Sequence, residues 1–237
     1  MNAGPVRLVR VARPGLFALL VVAAACGGGG DSTAPNAPQA IARVSADSQT
    51  TAAGVKMAEP LVVLVTGGGG TPLANVAVGW AIGNGGGSLT DTVSTTDDAG
   101  KAKTTYTPGT APGIARITAK AGSLPALQFT ITLVAGPPKE LQKFGFANPA
   151  VVAGSTLPFS VKLVDAVGNG IAGKVVNWAS SGGTISATTS TTDAGGVATV
   201  SFTIGSDPGS YSLTATVDGV PPVTFSVTAI KSIQSSE

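Results

Sequence analysis

The chain has 237 residues, with 14 Lys and Arg, 12 Asp and Glu, a single Cys and no His. Because His is the commonest general base and metal ligand, its absence argues against an enzyme and a metal centre. The net charge is +2, but three arginines lie in the first 25 residues, and the rest of the chain has no basic cluster that could bind nucleic acid. With no S-x-x-K or P-loop motif, the sequence predicts no catalytic residue, no cofactor, no metal and no nucleic-acid partner.

Residues 1–25 predict a signal peptide. Three arginines, at positions 7, 10 and 13, precede the apolar run LFALLVVAAA (16–25), which is too short to cross a bilayer. The run ends on Cys26 and resembles a bacterial lipoprotein signal, with Ala24 and Ala25 in place and Ala23 where that family usually has Leu. The resemblance implies that Cys26 is lipidated and becomes the mature N-terminus. Ordinary cleavage with a free thiol and an uncleaved anchor are the alternatives.

Residues 26–39 predict a flexible tether, since GGGGDSTAPNAPQ has almost no apolar side chain to bury. Gly27, rather than Asp, follows the cysteine, and the lipoprotein resemblance then implies sorting to the outer membrane. Without the signal, residues 26–237 carry 11 Lys and Arg against 12 Asp and Glu, a net charge of −1. The predicted membrane contact is therefore the lipid anchor.

The rest of the chain is a tandem repeat with a period near 100 residues. Three stretches align in order: PQAIARV (38–44) with PKELQKF (138–144), TPLANVAVGW (71–80) with NGIAGKVVNW (169–178), and STTDDAGKAKTTYTPGTAPG (94–113) with STTDAGGVATVSFTIGSDPG (190–209). The offset falls from 100 to 96 along the copy, as small loop deletions would produce. We predict domains over residues 40–135 and 139–231, a Pro linker at 136–138 and a tail at 232–237.

Both copies predict β-strands. Apolar residues alternate with polar ones between Gly, Pro and Asp turns, which is typical of half-buried strands. The alternating sets are Leu127, Phe129, Ile131 and Leu133; Val200, Phe202 and Ile204; Tyr211, Leu213, Ala215 and Val217; and Val223, Phe225, Val227 and Ala229. Several short strands per copy of about 95 residues predict an all-β fold of two-sheet sandwiches.

The turns and flanking strands of the second copy carry a family resemblance. DAVGNGIAG (165–173), STTDAGGVATV (190–200) and DPGSYSLTATV (207–217) resemble the group 1 bacterial immunoglobulin-like domain, found as stacked repeats in invasin- and intimin-type surface proteins. The first copy keeps TTDDAGKA (95–102) but has TGGGGTPLA (66–74) in place of the first turn. The resemblance implies two tandem immunoglobulin-like sandwiches with a spacer or adhesive role and no catalytic residues.

A few residues allow a sharper interpretation. Trp80 and Trp178 could stack a sugar, but alternate apolar neighbours favour a core position. Asp193, with its counterparts Asp97 and Asp98, could bind Ca²⁺, but a turn closed by Gly195 or Gly196 already explains the pattern. Asn169-Gly170 predicts a hairpin turn.

The predicted function is that of a lipid-anchored bacterial cell-envelope protein whose Ig-like domains act as a structural spacer or as an adhesive, protein-interaction module. The alternative is a small glycan- or peptide-binding module on the cell surface. A glycan platform needs exposed rings, and nearly all of the ten aromatic residues after the signal stand at alternating, inward positions. This favours the spacer or adhesin, with a surface protein or a glycan as its partner.

Overall fold

The computed structural model describes residues 37–145 and 149–231. All of them belong to one compact unit of the chain. The predictions for the signal peptide, for Cys26 and for the tail at 232–237 fall outside the described residues.

The first half forms a sandwich from ten strands, with a short 3₁₀ turn at Gly68–Gly70. The strands are β1 (Ala40–Arg43), β2 (Ser48–Ala52), β3 (Leu61–Thr66), β4 (Ala77–Asn84), β5 (Ser88–Leu89), β6 (Val93–Thr95), β7 (Lys101–Thr104), β8 (Tyr106–Thr107), β9 (Gly113–Ala121) and β10 (Leu127–Val134). One sheet has the order β1-β3-β7, the facing sheet has the order β2-β10-β9-β4-β6, and β5 pairs with β8.

The second half repeats this arrangement with nine strands. They are β11 (Glu140–Phe144), β12 (Ala150–Val152), β13 (Thr156–Val164), β14 (Val175–Ser181), β15 (Thr184–Ile185), β16 (Thr189–Thr191), β17 (Val197–Thr203), β18 (Gly209–Val217) and β19 (Val220–Ile230). The sheets have the orders β11-β13-β17-β15 and β12-β19-β18-β14-β16. The prediction of an all-β fold with two tandem immunoglobulin-like sandwiches is confirmed.

The pairing shows how closely the copies correspond. In each sandwich, the second strand runs parallel to the last one, β2 beside β10 and β12 beside β19, while the other pairs are antiparallel. The continuous strand β17 replaces the pair β7 and β8 of the first copy. The strands lie within the predicted ranges 40–135 and 139–231, although the domain limits themselves stay predictions.

Each sandwich has its own hydrophobic core, built from the inward residues of its two sheets. In the first core, the rings of Trp80 and Phe129 lie 6.2 Å apart. In the second core, Phe159 meets Phe225 edge to face at 5.1 Å, a favourable geometry for aromatic pairs. The alternating residues predicted to face inward are buried or half-buried, so the predicted period of two is confirmed.

The described end of the predicted tether is bonded to the first sandwich. Gln39, its last residue, donates its backbone N–H to the carbonyl oxygen of Thr66 over 2.8 Å. This backbone hydrogen bond fixes the chain to strand β3 at Gln39.

Candidate functional site

The two tryptophans are core residues. Trp80 is 4% exposed and Trp178 is 3% exposed, so neither offers a ring face to solvent. Each indole N–H donates a 2.8 Å hydrogen bond to a serine hydroxyl on the neighbouring edge strand, Ser94 for Trp80 and Ser190 for Trp178. A buried indole needs such a partner, because an unsatisfied donor in the core is costly. The core prediction is confirmed, and the sugar platform is wrong for these two rings.

The aspartates considered for calcium shape two hairpin turns. Asp193 Oδ1 accepts the backbone N–H of Gly195 at 2.8 Å and that of Val197 at 2.9 Å. Asp97 makes the same pair of bonds to the backbone N–H groups two and four residues later, at 3.0 and 2.9 Å. The φ angle of Gly196 is +81°, in the left-handed region that glycine adopts without strain. The turn interpretation is confirmed, with Gly196 rather than Gly195 in the special conformation.

The predicted hairpin at Asn169-Gly170 is wrong in its position. The chain reverses over Asp165–Gly168, where the Gly168 N–H bonds to the Asp165 carbonyl and the φ of Gly168 is +91°. Gly170 is needed for another reason, because a Cβ there would collide with the carbonyl oxygen of Gly195. The Asn-Gly pair therefore marks the point where two turns pack backbone against backbone.

Asp165 is the one buried carboxylate among the described residues, at 4% exposure. Burial opposes ionisation and raises its pKa, but hydrogen bonds from the backbone N–H of Gly136, from Asn169 and from the backbone N–H of Val167 outweigh burial. The pKa of Asp165 is thereby held below its ordinary value of 3.8. The sequence had indicated a turn here and gave no sign that the carboxylate is covered.

A cleft of about 740 Å³ opens between the edge strands β6 and β7 of the first sandwich. Its lining includes Asp91, Asp97, Lys101 and Lys103, with Val44 and Val62 beside them. In the second copy, the repeat alignment replaces three of the four charged residues by Ala187, Val197 and Thr199. This difference in charge can be read from the sequence when the two copies are compared position by position.

In the part of the chain that the structure describes, no group of three or more His, Cys, Asp or Glu side chains is close enough together to hold a metal ion. Every buried polar side-chain atom described has a hydrogen-bond partner. Within residues 37–145 and 149–231, no helix is long and apolar enough to cross a membrane.

The sequence model of the bacterial Ig-like domain (group 1) matches residues 152–230, which lie in the second sandwich. The second sandwich is a group 1 bacterial Ig-like domain. The first sandwich repeats its strand pairing, so the predicted tandem of such domains is confirmed. This domain type is not an enzymatic one. The copy with the weaker motif, whose first turn lacks Asp and Asn, lies outside the matched residues.

Solved structures with similar folds include surface proteins and an enzyme. The D0-D1 domain of intimin is 24% identical over 79% of this chain and 98% of its own, with a TM-score of 0.33. The Escherichia coli adhesin FdeC is 20% identical over 79% of this chain and 63% of its own, with a TM-score of 0.49. A glycosyl hydrolase family 2 member from Bacteroides cellulosilyticus is 17% identical over 76% and 23%, with a TM-score of 0.38. Likenesses this distant carry no argument about function. No curated protein matches the chain.

Proposed function

We propose that this chain is a lipid-anchored protein of the bacterial cell envelope, held in the outer membrane through Cys26. Its two sandwiches serve as a structural spacer, or as an adhesive module that meets a protein at the surface. The tether at 26–39 separates the membrane from the first sandwich.

The observation that carries this proposal is that the fold itself uses the residues suited to chemistry. Both Trp N–H groups are bonded inside the sandwiches, and the turn carboxylates of Asp97, Asp165 and Asp193 accept backbone N–H groups. Side chains used in this way stabilise a domain. A tandem of group 1 Ig-like domains, used as a scaffold, agrees with that arrangement.

Changing Cys26 to Ser tests the anchor. A hydroxyl cannot form the thioether that attaches the diacylglyceryl group, so we expect incorporation of labelled fatty acid to fall to background. The protein should also leave the fraction of tightly bound membrane proteins, since anchoring needs two or more acyl chains. Metabolic labelling and cell fractionation measure both effects.

Two matched variants accompany that experiment. Ser32→Ala, in the same predicted tether, should keep full labelling. Gly27→Asp should keep the label but move the protein to the inner membrane, if the sorting rule implied by the lipoprotein resemblance holds. Full labelling of the Cys26→Ser protein would show that the anchor lies elsewhere.

The charged cleft of the first sandwich favours the alternative, a module that binds a peptide. Two lysines and two aspartates line a cleft that has lost most of its charge in the second copy. A peptide with both acidic and basic side chains, lying between the edge strands β6 and β7, could pair its acidic groups with the two lysines and its basic groups with the two aspartates. This second candidate needs only the surface of one sandwich.

Exchanging residues between the copies separates the two candidates. The double variant Lys101→Val, Lys103→Thr introduces the residues of the second copy, which an equivalent β-strand already accommodates. For a spacer, we expect the same retention as wild type on an array of charged peptides and glycans, and an unchanged melting temperature. A peptide retained by the wild type and lost by the folded double variant would favour the binding module.

A further inference from the structure

The turn at Asp165–Asn169 makes bonds that the two other Asp turns lack. Like Asp193, Asp165 accepts two N–H groups of its own turn, from Val167 at 3.0 Å and Asn169 at 2.8 Å. Its Oδ2 accepts two more, from the backbone N–H of Gly136 at 2.8 Å and from Asn169 Nδ2 at 2.9 Å. Gly136 belongs to the segment between the sandwiches. One carboxylate therefore joins the turn to the connecting chain.

Asn169 extends this network to the other sandwich. Its Nδ2 also donates to the carbonyl oxygen of Thr110 over 2.8 Å, in the loop between β8 and β9. The two hydrogens of one amide are thus shared between Asp165 in the second sandwich and Thr110 in the first. An amide held at both hydrogens has little freedom to turn away.

The tip of the turn also comes near Gly54, two residues after β2. A Cβ built on Gly54 would lie 3.6 Å from Val167 Cγ1 and 3.7 Å from Thr110 Cγ2. Val167 stands at the tip of the turn and is 48% exposed. The tip of the turn therefore faces the first sandwich at Gly54, which has no side chain.

The equivalent turn of the first sandwich keeps the closing hydrogen bond but lacks both of these side chains. Gly70 donates its N–H to the carbonyl of Gly67, and the φ of Gly70 is +79°, as at Gly168. The counterparts of Asp165 and Asn169 are Gly67 and Thr71. A Cβ at Gly70 would meet nothing within 4 Å among the described residues. The hydrogen bond that closes the turn thus forms without the carboxylate or the amide in the first copy, where Gly69 has a positive φ of +70° that its counterpart Val167 does not share.

We propose that Asp165 and Asn169 form an interdomain clamp, with Gly136 and Thr110 as its backbone partners, that fixes the second sandwich against the first. This assigns the D-x-x-G-N motif of the second copy to docking on a preceding domain. The Pro linker alone does not set the angle between the domains. The purpose of the clamp rests on the proposed spacer function, because a spacer needs a fixed angle between its domains. The interdomain geometry can be measured in a protein that has no lipid anchor.

Distance measurements between two spin labels test the clamp in the full chain carrying Cys26→Ser, which removes the only native thiol. Labels at Lys120→Cys and Ala187→Cys stand on exposed positions of the first and second sandwich. We expect Asn169→Ala to widen the distance distribution by about twofold, because unclamped neighbouring domains move relative to one another by default. Asn177→Ala, the same change on an exposed residue of β14, should leave the width unchanged.

A second pair keeps the test informative if Asn169→Ala destabilises its sandwich. Asp165→Asn should widen the distribution, whereas Asp97→Asn, in the equivalent Asp turn of the first sandwich, should not. Each variant is compared at a temperature where both sandwiches are folded by near-ultraviolet circular dichroism. Unchanged widths for Asn169→Ala and Asp165→Asn would overturn the clamp, and so would equal widening by both controls. Failure of the anchor would instead appear as loss of fatty acid labelling in the protein that keeps Cys26.

Discussion

Replacing Trp178 with alanine will make the second sandwich melt far below the first. The side chain is 3% exposed in a close-packed core, so its removal leaves a cavity and costs about 3–5 kcal/mol. That is a large share of the roughly 5–15 kcal/mol that stabilises a domain. For a domain near 100 residues, the melting temperature should fall by roughly 15–30 °C. Scanning calorimetry of the two transitions measures this.

Two variants show what the ring contributes. Trp178→Phe keeps an aromatic ring but loses the indole donor to Ser190, so its melting temperature should fall less. Trp80→Ala should instead make the first sandwich melt below the second, since Trp80 has the same place in the first core. An unchanged melt for Trp178→Ala, together with lost glycan retention, would contradict the core assignment.

The architecture could be predicted from the sequence because its signals are local or repeated. Alternation placed Phe202 and Phe225 in the core, and both are fully buried. Internal similarity predicted two copies, and the sheet orders agree. A strand with one buried face leaves little choice of register, so such patterns translate directly into structure.

The clamp could not be predicted because its partners are far apart in the chain. Asn169 bonds to Thr110 across 59 positions, and Asp165 bonds to Gly136 across 29. A turn motif specifies its own backbone and says nothing about what packs on it. The hairpin predicted at Asn169-Gly170 is misplaced for a related reason, since the Asp-x-x-Gly turn that ends directly before Asn169 makes the reversal.

The cleft could not be predicted because it forms between two strands that are brought together only by the fold. Lys101 and Lys103 lie on β7, whereas Asp91 comes before β6, and only the pairing of sheets brings them around one opening. Charges on an exposed strand normally indicate a solvated face, and nothing in the sequence distinguishes that from a cleft.

Replacing Gly196 with alanine will destabilise the second sandwich by more than its backbone angle alone requires. With φ at +81°, an L-residue such as alanine costs roughly 1–2 kcal/mol. The new Cβ would also stand 2.6 Å from the carbonyl oxygen of Leu163 and 2.7 Å from the Cα of Gly170, inside van der Waals contact. Relieving that overlap by moving backbone typically costs a further ~1–3 kcal/mol.

Gly168→Ala isolates the steric part of this cost. Gly168 has a similar φ of +91°, but a Cβ there would meet nothing within 4 Å. Urea unfolding of the two variants should therefore give a small loss for Gly168→Ala and a clearly larger one for Gly196→Ala. The carbonyl of Gly196 also accepts the N–H of Leu163, so a displaced turn would strain the sheet edge as well. Equal losses would mean that the turns do not pack backbone against backbone, and that Gly196 is present for its conformational freedom alone.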